Sequence, residues 1–92
     1  MIKSFACRDT EKLFNGQRVR RFQSFEGQAR KRLMVLHAAP SLDALRLNPG
    51  NKLHSLKGDR SGQFSISVNN QWRVCFEWHD GHAYNVEIVD YH

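Results

Sequence analysis

Five side chains in the second half of the sequence have the chemistry needed to cleave a phosphodiester bond. An imidazole titrates near neutral pH and can move protons. A guanidinium can hold two phosphate oxygens while negative charge develops on them, and a tyrosine ring can stack on a base or orient it. A set of this kind needs no metal ion. The five residues are His54 and Lys57 in NKLHSLKGDR, Arg73 in QWRVCFEW, and Tyr91 and His92 in NVEIVDYH.

Three of these residues also have structural interpretations that involve no chemistry. His54 can be an exposed strand residue, and Lys57 can be a solvated lysine in a turn. Arg73 can pair with Glu77 or Glu87 across a sheet, an ion pair worth at most about 1 kcal/mol if it is exposed. The chemical interpretation therefore depends on whether the fold brings all five residues to one surface.

The sequence predicts neither a metal site nor a cofactor site. Asp59, Asp80 and Asp90 are scattered along the sequence rather than clustered, which argues against a magnesium ion held by carboxylates. Cys7 and Cys75 show neither a CxxC pair nor the spacing of a zinc site, so we expect both to be reduced and structural.

Alternating apolar and polar residues predict strands that carry the candidate side chains. In QFSISV, in QWRVCFEW and from residue 84 to 89, most even-numbered residues are apolar and should face the core. The odd-numbered residues, including Arg73, should then face the opposite side. Continuing this alternation places the phenol of Tyr91 on the face that holds Arg73.

The length of the loop between the last two strands decides whether the apolar residues of both strands lie on the same face of the sheet. A two-residue loop at Asp80 and Gly81 would place Phe76 opposite Asn85. A three-residue loop with Gly81 in the left-handed conformation of a bulge would keep the apolar residues of both strands on one face. We therefore predict the three-residue loop.

The first half of the sequence predicts a short strand followed by helices. MIKSFAC alternates as a strand does, and the next segments carry signals for helix caps and stops. From residue 22 the apolar residues recur at helical spacing, and Pro40 should end that helix. The boundaries that we predict are Asp9 or Thr10 to Asn15-Gly16, Phe22 to Ala39, and one further turn capped by Ser41.

These elements predict an α+β fold in a single domain that spans residues 1–92. An N-terminal strand and two to three helices, between residues 9 and 45, pack on one face of a twisted, antiparallel-rich sheet. The other face of the sheet stays open and carries the candidate side chains.

Composition places the chain among globular proteins and makes its N-terminal third basic. Apolar residues make up 40% of the chain, and no apolar run approaches the ~18 to 20 residues that cross a bilayer. The first residues lack the apolar stretch of a secretory signal, so we expect a cytoplasmic protein. The net charge is +5, and residues 1–32 carry nine Lys/Arg against three Asp/Glu. This basic region is either a solvated helical face or a docking surface for ribosomal RNA or an acidic partner.

Residues 51–92 resemble one family closely, the HigB toxins of the RelE/ParE superfamily from bacterial type II toxin-antitoxin modules. The resemblance rests on the combination LHxLKGDRxGxxSIxVNxxWRxxF, which begins at Leu53, together with the DYH that follows the last strand. The segments MIKSF and KLFNG extend it loosely over the rest of the chain. The combination is far more specific than any one of its motifs.

The resemblance implies a RelE-like fold and a ribosome-dependent mRNA endonuclease that acts in the decoding site and inhibits growth. It implies cleavage by attack of the ribose 2′-hydroxyl on the adjacent phosphate, without a metal or cofactor. It also implies a helix-turn-helix, HigA-like antitoxin as partner, with DNA contacted through that antitoxin. The roles implied are proton transfer for His54 or His92, phosphate binding for Lys57 and Arg73, and stacking or orientation for Tyr91.

Two other function classes remain open at this point. One is a non-catalytic toxin or binding module of the same fold, of the kind that poisons gyrase. Such a module has no need of proton-transfer groups. If the protein cleaves RNA, deleting Tyr91 and His92 should relieve growth arrest while leaving the protein folded. The other class is a regulator that binds DNA directly, but the sequence shows no helix-turn-helix signal.

Overall fold

The computed structural model describes residues 1–91, and His92 lies outside the described residues. Within that range the strands are β1 (His54–Ser55), β2 (Phe64–Ser67), β3 (Trp72–His79) and β4 (His82–Asp90). They form one antiparallel sheet in the order β1-β2-β3-β4. The α-helices are α1 (Arg8–Phe14), α2 (Glu26–Ala38) and α3 (Leu42–Leu47), and 3-10 helices span Arg20–Phe25, Pro49–Asn51 and Gly58–Arg60. The predicted α+β architecture is confirmed.

Helix α1 ends where the sequence predicts its end. Asn15 leaves helical geometry, and Gly16 follows in the left-handed conformation with φ +89°. The predicted second helix is less regular, because the segment around Phe22 is a 3-10 helix and α2 begins only at Glu26. The apolar stripe of this segment nevertheless faces the core.

The junction between α2 and α3 follows from two local signals. Ala39 is extended because Pro40 follows it, and α2 therefore ends at Ala38. The side chain of Ser41 accepts a hydrogen bond from the backbone N–H of Ala44 at 3.1 Å, which confirms the predicted cap of α3.

The N-terminal segment pairs with β4 but is not a regular strand. Two isolated parallel bridges, Ile2 with Ala83 and Phe5 with Val86, connect it to the outer edge of β4. The side-chain oxygen of Ser4 intervenes between them and accepts a hydrogen bond from the β4 backbone at 2.8 Å. The predicted N-terminal strand is therefore reduced to two bridges, although it lies where a strand would cover the edge of the sheet.

The hairpin between β3 and β4 differs from the prediction. It has the two-residue loop, with Asp80 at φ +53° and Gly81 at φ +81°, the left-handed pair of a type I′ turn. The predicted three-residue loop is therefore wrong. A bulge inside β4 instead returns the apolar residues of the strand to the core face. At the bulge Asn85 has a left-handed φ of +52°, and the pairing with β3 shifts by one residue. Tyr84 therefore lies opposite Glu77, and Val86 is buried in the core.

The core lies between the helices and the inner face of the sheet. Trp72 packs against Phe25 with ring centroids 4.9 Å apart, and it meets the edge of Phe22 at 5.8 Å. Each large apolar side chain that is fully buried contributes about 1.5–3 kcal/mol to folding. The largest fully buried apolar side chains are Phe22, Leu13, Leu33, Leu36, Leu45, Ile66, Val74, Phe76 and Val86.

The outer face of the sheet is less open than the sequence predicts. Ser65 and Cys75 belong to it by alternation, yet both have 0% exposure. Long side chains cross this face: Arg73 bonds to Ser65, and Arg60 reaches across the sheet to Glu87. None of the helices within residues 1–91 is long and apolar enough to span a membrane.

Candidate active site

A cavity of about 340 Å³ lies on the outer face of the sheet beside β1. Four of the five predicted site residues line it, namely His54, Lys57, Arg73 and Tyr91. The rest of the lining consists of Ser55, Leu56 and Ser65. The fold thus brings together four residues from three separate parts of the sequence. The fifth, His92, lies outside the described residues.

His54 and Lys57 come from the edge of the sheet. His54 belongs to the two-residue strand β1, where it pairs with Ser65 and is exposed. Lys57 is exposed at the start of the Gly58–Arg60 turn, which leads from β1 to β2. Gly58 has φ +66°, a conformation that L side chains rarely adopt, so the turn that orients Lys57 depends on a glycine.

Arg73 is held by neutral acceptors. Its Nε donates to Ser65 Oγ at 2.7 Å, and its Nη2 donates to the carbonyl of Lys52 at 2.6 Å and to that of Ser65 at 3.3 Å. Burial lowers the pKa of the guanidinium, but an arginine stays charged at neutral pH. No carboxylate within residues 1–91 forms an ion pair with Arg73, and its recorded hydrogen bonds all go to uncharged oxygens.

The structural alternative for Arg73 is therefore wrong. Glu87 Oε1 lies 2.8 Å from Arg60 Nη1 instead, and the bond raises the pKa of Arg60. Glu77 accepts hydrogen bonds from the side chain of Asn85 and pairs with His79, and these contacts lower its pKa. Both carboxylates that the sequence analysis offered as partners for Arg73 are taken by other residues.

The carbonyl that binds Arg73 is positioned by a turn that sequence reasoning missed. Lys52 has a left-handed φ of +47°, and it follows a turn that Asn51 anchors. Asn51 is 1% exposed; its Nδ2 donates to the carbonyl of Leu45 at 3.0 Å, and its Oδ1 accepts from Arg32 at 2.6 Å. Only the turn-rich NPGN stretch signalled this arrangement.

Tyr91 is placed by hydrogen bonds to the start of β3. Its backbone N–H donates to the carbonyl of Gln71, directly after the last pair of the ladder. The side chain of Asn69 shapes the turn before β3 by accepting from the backbone N–H groups of Gln71 and Trp72, both at 2.8 Å. Tyr91 is 47% exposed and lines the cavity with Arg73, on the face that the alternation predicts.

A second cavity, of about 420 Å³, lies in the helical layer and is strongly basic. Arg21 pairs there with Asp9 at 3.2 Å and lies over the ring of Phe22, 4.6 Å from its centroid. We call it the basic cleft, and its lining residues are Asp9, Lys12, Arg18, Val19, Arg20 and Arg21.

The first cavity suits an anion of the phosphodiester type. It combines two cations with an imidazole and a phenol, and the cations would repel a metal ion. Within residues 1–91 there is no group of three or more His, Cys, Asp or Glu side chains that could hold a metal.

Solved structures share this fold. YafQ from Escherichia coli superimposes with a TM-score of 0.64 at 16% identity, covering 98% of this chain and 93% of YafQ. YoeB in a complex with YefM from Staphylococcus aureus superimposes with a TM-score of 0.59 at 20% identity, covering 100% and 98% of the two chains. At these identities the likeness shows the fold alone.

The fold and the family comparison together define the class of protein, a RelE-like toxin. A family described as "RelE-like toxin of type II toxin-antitoxin system HigB" matches residues 3–92. The chain therefore belongs to the HigB family, and the resemblance noted in the sequence is confirmed.

Two relatives agree with this assignment. Toxin HigB-1 from Vibrio cholerae serotype O1 is 42% identical over 65 residues, which cover 71% of this chain and 68% of the relative. Endoribonuclease HigB from Proteus vulgaris is 51% identical over 41 residues, or 45% of each chain. As a toxin of a type II module, the protein has an antitoxin as its partner.

Proposed function

We propose that this protein is an endoribonuclease toxin that cleaves mRNA on the ribosome and so inhibits translation and growth. One observation carries the proposal: His54, Lys57, Arg73 and Tyr91 line a single cavity, in which Arg73 has no carboxylate partner among residues 1–91. The name of the Proteus vulgaris relative, an endoribonuclease, supports the same activity.

The reaction is an attack of the ribose 2′-hydroxyl on the adjacent phosphorus. As the O2′–P bond forms, the P–O5′ bond breaks in line with it. A base removes the proton of the 2′-hydroxyl and an acid protonates the departing 5′ oxygen, so the products are a 2′,3′-cyclic phosphate and a 5′-hydroxyl. His54 and His92 are the proton-transfer groups of this proposal. The nucleophile comes from the substrate itself, and no metal takes part.

The two cations of the site bind the phosphate, and the phenol contacts the base. Arg73 and Lys57 bind the non-bridging oxygens, where negative charge grows in the transition state. Because Arg73 is already held by Ser65 and by the carbonyl of Lys52, little reorganisation is needed when the substrate arrives. Tyr91, which is half exposed at the cavity, stacks on a base or orients it.

Two macromolecular partners belong to the proposal. The basic cleft offers Lys12, Arg18, Arg20 and Arg21 to RNA phosphates, and we assign it to ribosomal RNA in the decoding site. The antitoxin is a helix-turn-helix protein of the HigA kind, and DNA is contacted through it. A solved YoeB–YefM assembly from Staphylococcus aureus, described as a heterotetrameric toxin-antitoxin complex, is a precedent for a toxin–antitoxin assembly in a protein of this fold.

The test is to induce the protein in cells and map the 5′ ends of mRNA. We expect new 5′-hydroxyl ends in frame with translation, at positions that ribosomes occupy. Purified ribosomes with bound mRNA should be cut equally well after a chelator has removed free divalent ions, provided that the ribosomes stay assembled. Intact mRNA together with DNA damage would instead indicate the gyrase-poisoning class.

A further inference from the structure

The outer face of the sheet places one carboxylate within reach of Arg73. In the β3–β4 ladder Arg73 lies opposite Val89, and Cys75 lies opposite Glu87, so Arg73 and Glu87 are diagonal neighbours. Diagonal residues on one face lie about 7–8 Å apart, a distance that long side chains bridge. Nothing in the register prevents Glu87 from pairing with Arg73.

Glu87 is directed elsewhere by Arg60. The Nη1 of Arg60 lies 2.8 Å from Glu87 Oε1 and donates a second hydrogen bond to Gln63 at 3.1 Å. Arg60 belongs to the turn between β1 and β2, so its side chain passes over β3, where Cys75 is completely buried. Both partners are partly exposed, with side-chain exposures of 36% and 26%.

We propose that Arg60 withholds Glu87 from Arg73 and thereby keeps the Arg73 guanidinium free for the scissile phosphate. Arg60 is then a positioning residue, and the inference rests on the proposed ribonuclease function. Because Nε and Nη2 of Arg73 already donate to Ser65 and to the carbonyl of Lys52, Nη1 is the nitrogen left for a phosphate. A carboxylate paired with Arg73 would compete for Nη1 and would cancel the charge that stabilises the transition state.

Two simpler roles for Arg60 make different predictions. If Arg60 only fastened the β1–β2 turn to the sheet, removing either partner of the ion pair would have the same effect. If Arg60 itself bound the phosphate, its loss could not be repaired at Glu87. Under the proposal the loss of Arg60 is harmful only while Glu87 remains a carboxylate.

The experiment measures kcat/KM for cleavage of ribosome-bound mRNA by Arg60→Gln, Glu87→Gln and the double variant, with Arg60→Lys as the charge-retaining variant. We expect Arg60→Gln to lose roughly 10- to 100-fold, part of the loss seen when a charge-stabilising donor is removed. Glu87→Gln, Arg60→Lys and the double variant should stay near wild type. Arg46→Gln, in the exposed Arg46–Asp43 pair of α3, is the matched control and should change nothing.

A second pair of variants tests the same idea with Arg60 intact. Val89 lies directly opposite Arg73, so Val89→Glu introduces a carboxylate beside the guanidinium, and Val89→Gln is its uncharged counterpart. Val89→Glu should lose activity by a similar factor relative to Val89→Gln. Thermal unfolding and antitoxin binding of each variant separate a loss of chemistry from a loss of fold.

Two results would overturn the inference. One is a double variant as inactive as Arg60→Gln, and the other is Val89→Glu as active as Val89→Gln. Failure of the underlying function would look different: the wild-type protein would not cut mRNA at all, or Arg73→Ala would cut as well as the wild type.

Discussion

At the scale of single residues, the charge of Arg73 is the central feature of the site. Its three hydrogen bonds go to a hydroxyl and two carbonyls, which orient the guanidinium without cancelling its charge. Burial partly desolvates the cation, which lowers its pKa, and a phosphate would gain more from pairing with it than in water. The neutral oxygens of Ser65 and Lys52 thus orient the guanidinium, and the guanidinium keeps its positive charge.

Replacing Arg73 by alanine should lower kcat by roughly 10²- to 10³-fold, or about 3–4 kcal/mol of transition-state stabilisation. Arg73→Lys should recover little of this loss, because an ammonium lacks the planar fork that donates to Ser65 and to the carbonyl of Lys52 while it presents a further nitrogen to the phosphate. The measurement is the rate of 5′-hydroxyl formation on ribosome-bound mRNA, with thermal unfolding as the control. Equal rates for Arg73→Ala and the wild type would remove Arg73 from the mechanism.

The two cysteines should differ in reactivity. For Cys7, burial by itself raises the pKa, but hydrogen bonds from Thr10 and Asp9 and the charge of Arg21 outweigh it, and the net pKa is lowered. Burial raises the pKa of Cys75, which is completely enclosed. Iodoacetamide should therefore alkylate Cys7 in the folded protein at a lower pH than an ordinary thiol, and mass spectrometry locates the label. Labelling of Cys75 before unfolding would contradict the structure.

At the scale of elements, the bulge in β4 keeps the sheet's two faces distinct. With the tight Asp80-Gly81 turn alone, the odd-numbered residues of β4 would face the core along the whole strand. The extra residue at Asn85 shifts the register, so that the even-numbered residues after it face the core. The phenol of Tyr91 lies on the same side as Arg73 only because of this shift. The bulge is therefore part of how the site is assembled.

Asn85→Val should destabilise the protein by about 1–3 kcal/mol, because a β-branched residue is strained at φ +52°. Asn85→Gly accepts the same backbone and loses only the exposed hydrogen bond to Glu77, so its cost should be smaller. Urea unfolding of both variants measures the difference. If Asn85→Val were as stable as Asn85→Gly, the left-handed bulge would not be present in solution.

A side chain of α1 accepts a hydrogen bond from a backbone N–H of β4. Thr10 is completely buried, and its Oγ1 accepts a hydrogen bond from the backbone N–H of Ile88 at 3.0 Å. Thr10→Val keeps the shape but leaves that buried N–H without its partner, and should cost about 1–3 kcal/mol of unfolding free energy. Thr10→Ser retains the hydroxyl and should keep much of the stability in the same denaturation measurement. Equal losses for the two variants would show that packing alone matters there.

At the scale of the whole molecule, the basic cleft and the candidate active site lie in different layers. The candidate active site lies on the outer face of the sheet, whereas the basic cleft is formed by α1 and the segment that follows it. Residues 1–32 carry nine of the fourteen Lys/Arg. A protein arranged in this way can bind an RNA surface through one layer and present the other to a single strand.

Reversing two charges of the cleft, Arg18→Glu with Arg20→Glu, should weaken binding to ribosomes by at least ~10-fold at low salt and flatten the salt dependence. The control is Arg46→Glu on α3, which carries the same type of charge change outside the cleft. Sedimentation with ribosomes over a range of salt concentrations measures both. If the control weakened binding as much as the double variant, net charge rather than the cleft would be responsible.

Much of the fold was predictable because its signals are local. The glycine stop after α1, the Ser41 cap and the apolar alternation of β2 and β3 each depend on residues close in sequence, and each is observed. The β3–β4 loop was not predictable. A two-residue loop with a later bulge and a three-residue loop both leave Val86 facing the core, and only the packed sheet distinguishes them.

The sequence by itself determined the family, because its combination of motifs is specific. It also predicted four residues, His54, Lys57, Arg73 and Tyr91, that line one cavity, and for Arg73 and Tyr91 the alternation gave the face of the sheet. Tertiary structure alone decided which charges are neutralised. Arg60 and Glu87 are 27 positions apart, and no local pattern connects them. Which charged side chains form an ion pair depends on their distance in the folded chain. Glu87 pairs with Arg60 in the fold, and Arg73 has no carboxylate partner among residues 1–91.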